Sequence, residues 1–167
     1  MPRNTLRVLH AAASTLGLLI ITLFFVSSVA AEIAGDRGTI VLVKTGIVYA
    51  LFSLVPVMAV AGASGKRLAG TSRAPVILRK MRRMKLVAIN AFVLLIPCAV
   101  TLYWLASHGR FGWQFAAVQT VELLAGAMNI VLLGLNLRDG LGMRAARSRG
   151  ARNSAARTRP DSFAQVP

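Results

Sequence analysis

Two charged residues lie deep inside long apolar runs: Glu122 in WQFAAVQTVELLAGAMNIVLLGLNL and Lys44 in TIVLVKTGIVYALFSLVPVMAVAGA. An ionisable group in such a run is costly, so it faces a bundle interior or a water-filled path and is where proton relays and ligand sites are built. Glu122 is not isolated. Gln119, Glu122, Gly126, Asn129, Leu133 and Asn136 follow at intervals of 3, 4, 3, 4 and 3, so a helix carries them in one stripe. The glycine in that stripe lets a neighbouring backbone come close. Measured from the ends of their runs, Lys44 lies roughly 8 Å and Glu122 roughly 14 Å deep at 1.5 Å per residue, a difference that a lysine side chain spans. A Lys44–Glu122 pair would offset the cost of burying either charge alone, with Glu32 as the other candidate partner of Lys44. Asn90 and Asn129 also fall at matching depths and can bond across helices.

Two readings of this polar set stay open. In one, Glu122, Lys44 and Gln119 form a proton or ligand site. In the other they are packing groups: interhelical amide bonds are worth around 0.6 kcal/mol each, and Lys44 would either pair or snorkel to the surface. Other chemistry finds little support. No nucleophile triad, phosphate loop, paired catalytic carboxylates or metal-ligand spacing occurs, so no catalytic residue and no metal is assigned. The single cysteine, Cys98, lies in an apolar run and reads as a small hydrophobe. His10 and His108 stand at opposite ends of their spans, about 30 Å of bilayer apart, and cannot share one haem iron within one chain. His10 alone is the candidate haem ligand.

The elements that must position these residues are membrane spans. Charged residues make up 15% of the chain and apolar ones 56%, with a mean hydropathy of +0.64, whereas a soluble domain carries about 25% charged residues. Four runs reach the ~20 apolar residues a spanning helix needs: about 8–31, 39–63, 84–106 and 113–137. The expected fold is an all-α, integral-membrane, up-and-down four-helix bundle over residues 1–141, because short connections after spans one and three make antiparallel neighbours. Pro56 and Pro97 are candidate kink positions in spans two and three. Weaker polar stripes are His10, Ser14, Gly17, Ile21 and Ser28 in span one, and Asn90, Leu94, Pro97, Thr101, Trp104 and His108 in span three. Ser28-Val29-Ala30 or Val29-Ala30-Ala31 resembles a leader-peptidase site, but the apolar run exceeds the 7–15 residues of a signal h-region; span one is expected to stay as an anchor.

The net charge of +15 follows the same plan. Arg3 and Arg7 precede span one, eight basic residues lie from Lys66 to Lys85, and seven from Arg138 to Arg159, while the two short connections hold only Arg37 and Arg110. The positive-inside rule then puts both ends and the 64–83 loop in the cytoplasm and accounts for the charge without nucleic acid as a partner. Tyr103, Trp104, Phe111 and Trp113 mark the opposite interface. Arg79, Lys80, Arg82 and Arg83 are expected to contact anionic headgroups, at about 1 kcal/mol each. Residues 142–167, rich in Arg, Ala, Ser and Gly, are expected to form a disordered basic tail.

The segments KMRRMKLVAINAFVLLIPCAV (80–100) and VQTVELLAGAMNIVLLGLNLRDGL (118–141) resemble those of small bacterial inner-membrane proteins. That likeness covers the four spans and implies a location and an architecture but no activity. Leu9-His10 at the head of span one is similar to four-helix membrane families that handle haem or copper, among them the membrane protoporphyrinogen oxidases, which combine such a histidine with a later basic residue; beyond His10 the pattern is not reproduced. The expected function is that of a non-catalytic inner-membrane protein that associates with itself or with another membrane protein. The alternatives are a proton-linked carrier using Lys44, Glu122 and Gln119, and a haem-linked oxidoreductase using His10.

Overall fold

The computed structural model describes residues 2–157, and these are helical almost throughout, with no strand among them. Helix α1 is Arg3–Ala34, α2 Arg37–Ala69, α3 Pro75–Asn90, α4 Ile96–Ser107 and α5 Trp113–Arg157; a π-helical turn, Ala91–Leu95, joins α3 to α4. Taken with that turn, α3 and α4 are one rod. Four helices are therefore long and apolar enough to cross a membrane: Arg3–Ala34, Arg37–Ala69, Pro75–Ser107 and Trp113–Gly150, each with an 18-residue stretch whose mean hydropathy is 2.2, 2.1, 2.2 and 1.7 in turn. They mark the chain as a candidate multi-pass membrane protein.

Local chemistry sets the ends. Gly35 closes α1 at φ 67°, a left-handed conformation that costs a glycine nothing. Asp36 then caps α2, its carboxylate accepting from the Thr39 N–H at 2.7 Å and the Thr39 hydroxyl at 2.6 Å. Two residues thus reverse the chain. At the other end of the molecule α2 runs on to Ala69 and α3 starts with Pro75, where the missing proline N–H is not needed. Only Gly70–Ala74 of the expected 64–83 loop is non-helical: all its basic residues but Arg73 extend the two flanking helices past their apolar runs.

Contacts run α1 to α2, α2 to α4, α4 to α5 and α5 to α1, and α3 packs on α5. The core has two apolar clusters. Ala31, Ile40, Leu102, Leu105, Ala106 and Phe115 lie near the short connections; Ile21, Leu54, Val87 and Leu133 lie in the half nearer the basic connection. Large apolar side chains such as Leu19, Phe52, Phe92 and Leu124 point outward on every side.

Two further expectations differ from the structure. The third-span stripe is not one face, because Leu94 and Trp104 are well exposed whereas Ala99, Leu102, Leu105 and Ala106 are buried. The π turn takes up one extra residue and moves the inward face on by one position. It lies just before Pro97, whose ring clashes with the carbonyl four residues back in a regular helix. Pro56 has no such turn beside it, and α2 is α-helical from Arg37 to Ala69. Lastly, residues 142–157 of the expected disordered tail are helical, as the end of the 45-residue α5. Alanine and arginine are strong helix formers, and a helix already nucleated upstream adds residues at little cost. The remainder, 158–167, lies outside the described residues.

Candidate functional site: a buried ion pair

The stripe on α5 turns inward along its length. Gln119, Glu122, Asn129 and Asn136 are all buried, as is Leu133, and at Gly126 an added Cβ would lie 3.4 Å from the Phe25 ring of α1. Different neighbours receive successive turns of the stripe: α2 meets Glu122, and α3 meets Asn129 and Asn136.

Lys44 does not snorkel. Its residue is 1% exposed and that of Glu122 8%, and Lys44 Nζ donates to Glu122 Oε2 at 2.5 Å and to Ser28 Oγ at 3.1 Å. Three helices thus meet at one ammonium. An ion pair removed from water needs good geometry and further hydrogen bonds to offset desolvation, and Ser28 supplies one. Ser28 stands in the span-one stripe, but nothing in its spacing marks it as a partner of Lys44.

One turn nearer the short connections, two groups are less well served. Glu32 follows Ser28 by four residues on α1, and Gln119 precedes Glu122 by three on α5. Glu32 Oε1 and both polar atoms of the Gln119 amide are buried without a hydrogen-bond partner among the described residues. The charges acting on Glu32 are those of Lys44 and Glu122.

Toward the other end the chemistry turns neutral. Asn90 Nδ2 donates to Asn129 Oδ1 at 2.8 Å and to the Ala125 carbonyl at 2.9 Å. Asn129 Nδ2 donates to the Val87 carbonyl at 3.5 Å, and Asn136 Nδ2 to the Lys80 carbonyl at 3.4 Å. His10 joins α1 to α2: its Nδ1 lies 3.0 Å from the Ala61 carbonyl and 3.2 Å from Ser64 Oγ. A carbonyl only accepts, so Nδ1 carries the proton. The imidazole lies against Gly65, where a Cβ would come within 2.9 Å of His10 Cε1. His108, at the far end of α4, is exposed and bonds its own helix at the Trp104 carbonyl. Cys98 is half-buried and free. No group of three His, Cys, Asp or Glu among the described residues is placed to hold a metal.

The four basic residues expected at headgroups divide. Arg79 and Arg82 are exposed. Arg83 instead donates to Asp139 of α5 at 2.7 Å, and half-buried Lys80 lies with its Nζ 3.2 Å from where a Gly140 Cβ would stand. The signal that was missed is Asp139, the only acid between Glu122 and Asp161.

Two apolar surface grooves complete the description. One, of about 340 Å³, runs between α1 and α2 past Leu9, Ala12, Pro56 and Val57. The other, of about 250 Å³, lies between Leu94 and Met128 with Asn90 at its floor. Neither is lined by Lys44 or Glu122. No protein-family model, curated protein or solved structure matches the chain.

Proposed function

We propose that the chain is a multi-pass protein of the bacterial inner membrane. Its four spans form an up-and-down bundle, with both termini and the basic connection in the cytoplasm. The support is the segregation of charge: eight basic residues from Lys66 to Lys85 and seven from Arg138 onward gather at one end, against Arg37 and Arg110 at the other. Exposed Arg79 and Arg82 then meet anionic headgroups, while Arg83 and Lys80 fix α3 to α5.

Within the membrane the protein acts non-catalytically, through helix association with a second copy or with another membrane protein. The observation that carries this reading is the pairing of polar groups across the seam. Lys44 bonds Glu122 and Ser28, Asn90 bonds Asn129, and the perimeter is left apolar, with the α1–α2 groove as a seat for a partner helix. Cysteine cross-linking tests it, in a Cys98→Ser background with Ala12→Cys placed in that groove. A specific cross-linked species in native membranes is expected. Uniformly monomeric protein, together with ion flux in proteoliposomes that Glu122→Gln abolishes, would overturn the association reading in favour of a carrier. One observation favours that second reading, the unpartnered Gln119 amide beside the ion pair.

A further inference from the structure

We infer that Glu32, Gln119 and the Lys44–Glu122 pair together form a binding site for one monovalent cation, a proton or sodium, reached from the end that holds the short connections. The inference is independent of the association reading.

Charge balance is the first ground. The cluster holds two carboxylates, Glu32 and Glu122, and one ammonium, Lys44. Further charges at this end are Asp36 and Arg37 at the α1–α2 turn and Arg110 in the α4–α5 connection, whose guanidinium lies 5.6 Å above the Trp104 ring; α4 carries the Cys98 thiol and the Tyr103 phenol, and the α5 residues at the cluster are Gln119 and Glu122. Arg37 is turned elsewhere, its guanidinium 5.5 Å above the Phe111 ring. With Lys44 bound to Glu122, a second ionised carboxylate leaves the cluster at net negative charge in low-dielectric surroundings, where an unpaired charge is expensive. One monovalent cation restores neutrality.

Unsatisfied polarity is the second ground, and it is independent of the first. Gln119 is 5% exposed and its whole amide is unpartnered, as is the buried oxygen of Glu32. Both stand one helical turn outward of the ion pair, on the packed helices α1 and α5. A buried polar atom left unpaired is costly, and a cation held by Glu32 Oε1 and Gln119 Oε1 removes that cost at those two oxygens. If the cation is a proton, Glu32 becomes a neutral acid and donates to Gln119 Oε1. If it is sodium, the same two oxygens are ligands. Glu32 is itself only partly buried, which gives the ion its entrance.

Glu32 and Glu122 are the chain's only glutamates, so carbon-13 glutamate labels these two carboxyls alone. Infrared spectra of the full-length protein in detergent, in choline buffer and then with sodium chloride, should show one labelled carboxyl protonated near neutral pH in choline. Sodium that converts it to carboxylate identifies a sodium site. A protonated band indifferent to sodium, but lost as pH rises, identifies a proton site. Glu32→Gln should remove the band and also flatten the dependence of the unfolding midpoint on sodium and pH. Asp36→Asn, which alters an exposed carboxylate at the same end, should leave the band and the sodium dependence unchanged. Two fully ionised labelled carboxyls that respond neither to sodium nor to pH over roughly 5 to 8, the range below which ordinary carboxylates begin to titrate, would overturn the inference. That result needs only the wild-type chain, so it stands even if Glu32→Gln fails to fold.

Discussion

Glu122 and Asn129 stand two turns apart on the same face of α5, both buried, yet different chemistry holds them. Around Glu122 the seam is ionic, and three helices converge on Lys44 while Glu32 and Gln119 nearby remain short of partners. Around Asn129 it is neutral, and side-chain amides bond one another and backbone carbonyls across α3 and α5, with the Asn90 and Asn136 amide oxygens, uncharged, left without a partner among the described residues. A neutral amide ladder specifies register at modest energy. An ionic cluster adds a large penalty for any incomplete pairing, so it is the half in which protonation or an added ion changes the molecule most.

Single substitutions should separate the halves, most sharply at the charges. Lys44→Met leaves Glu122 buried without its partner and should lower unfolding free energy by about 3–5 kcal/mol. The double variant Lys44→Met/Glu122→Leu should recover most of that, as read by denaturation in mixed micelles; equal losses for single and double variants would remove the distinction between the halves. Asn129→Leu forfeits the bonds to Asn90 and Val87 and should cost roughly 1–2 kcal/mol. A cost as large as that of Lys44→Met would make the amide half the energetic centre instead. Arg83→Ala, which breaks a partly exposed pair with Asp139, should cost under about 1 kcal/mol, and less still in high salt.

The smallest effect is at Asp36, whose carboxyl is held below the ordinary carboxylate range by the Thr39 hydroxyl and N–H that it accepts from. A carboxyl depressed in the folded state adds stability above its unfolded value. That stability is lost as pH falls from the ordinary carboxylate range through the depressed one. Wild type should therefore exceed Asp36→Asn slightly at neutral pH and converge with it in acid; a gap that widens on acidification would contradict the cap.

Much of the seam was legible because burial imposes a period on sequence. The 3–4 spacing on α5 predicted an inward stripe, and depth alone matched Lys44 to Glu122 and Asn90 to Asn129. What stayed hidden depends on geometry that no local pattern encodes. Ser28 becomes a partner of Lys44 only once α1 and α2 have packed. The stripe drawn through Leu94, Pro97, Thr101 and Trp104 assumed a regular helix, and one wider turn displaced it; Pro97 was the visible warning. The connection and the tail were misjudged for a common reason. Basic residues end an apolar run, but arginine, lysine and alanine do not end a helix.

The π turn at Ala91–Leu95 also bears on how this span tolerates changes in length. Both halves of the rod already present their packing faces correctly, with one surplus residue between them. Removing one residue from 91–95 therefore leaves Val87 and Asn90 on one side and Leu102 and Leu105 on the other in the same alignment, now on a continuous α-helix. The obstacle is Pro97, which such a helix would place against a carbonyl, so the deletion combined with Pro97→Ala is the tolerated form. A deletion elsewhere in the spans would rotate everything beyond it by about 100° and expose the seam. Chain length in this protein is negotiable at that turn.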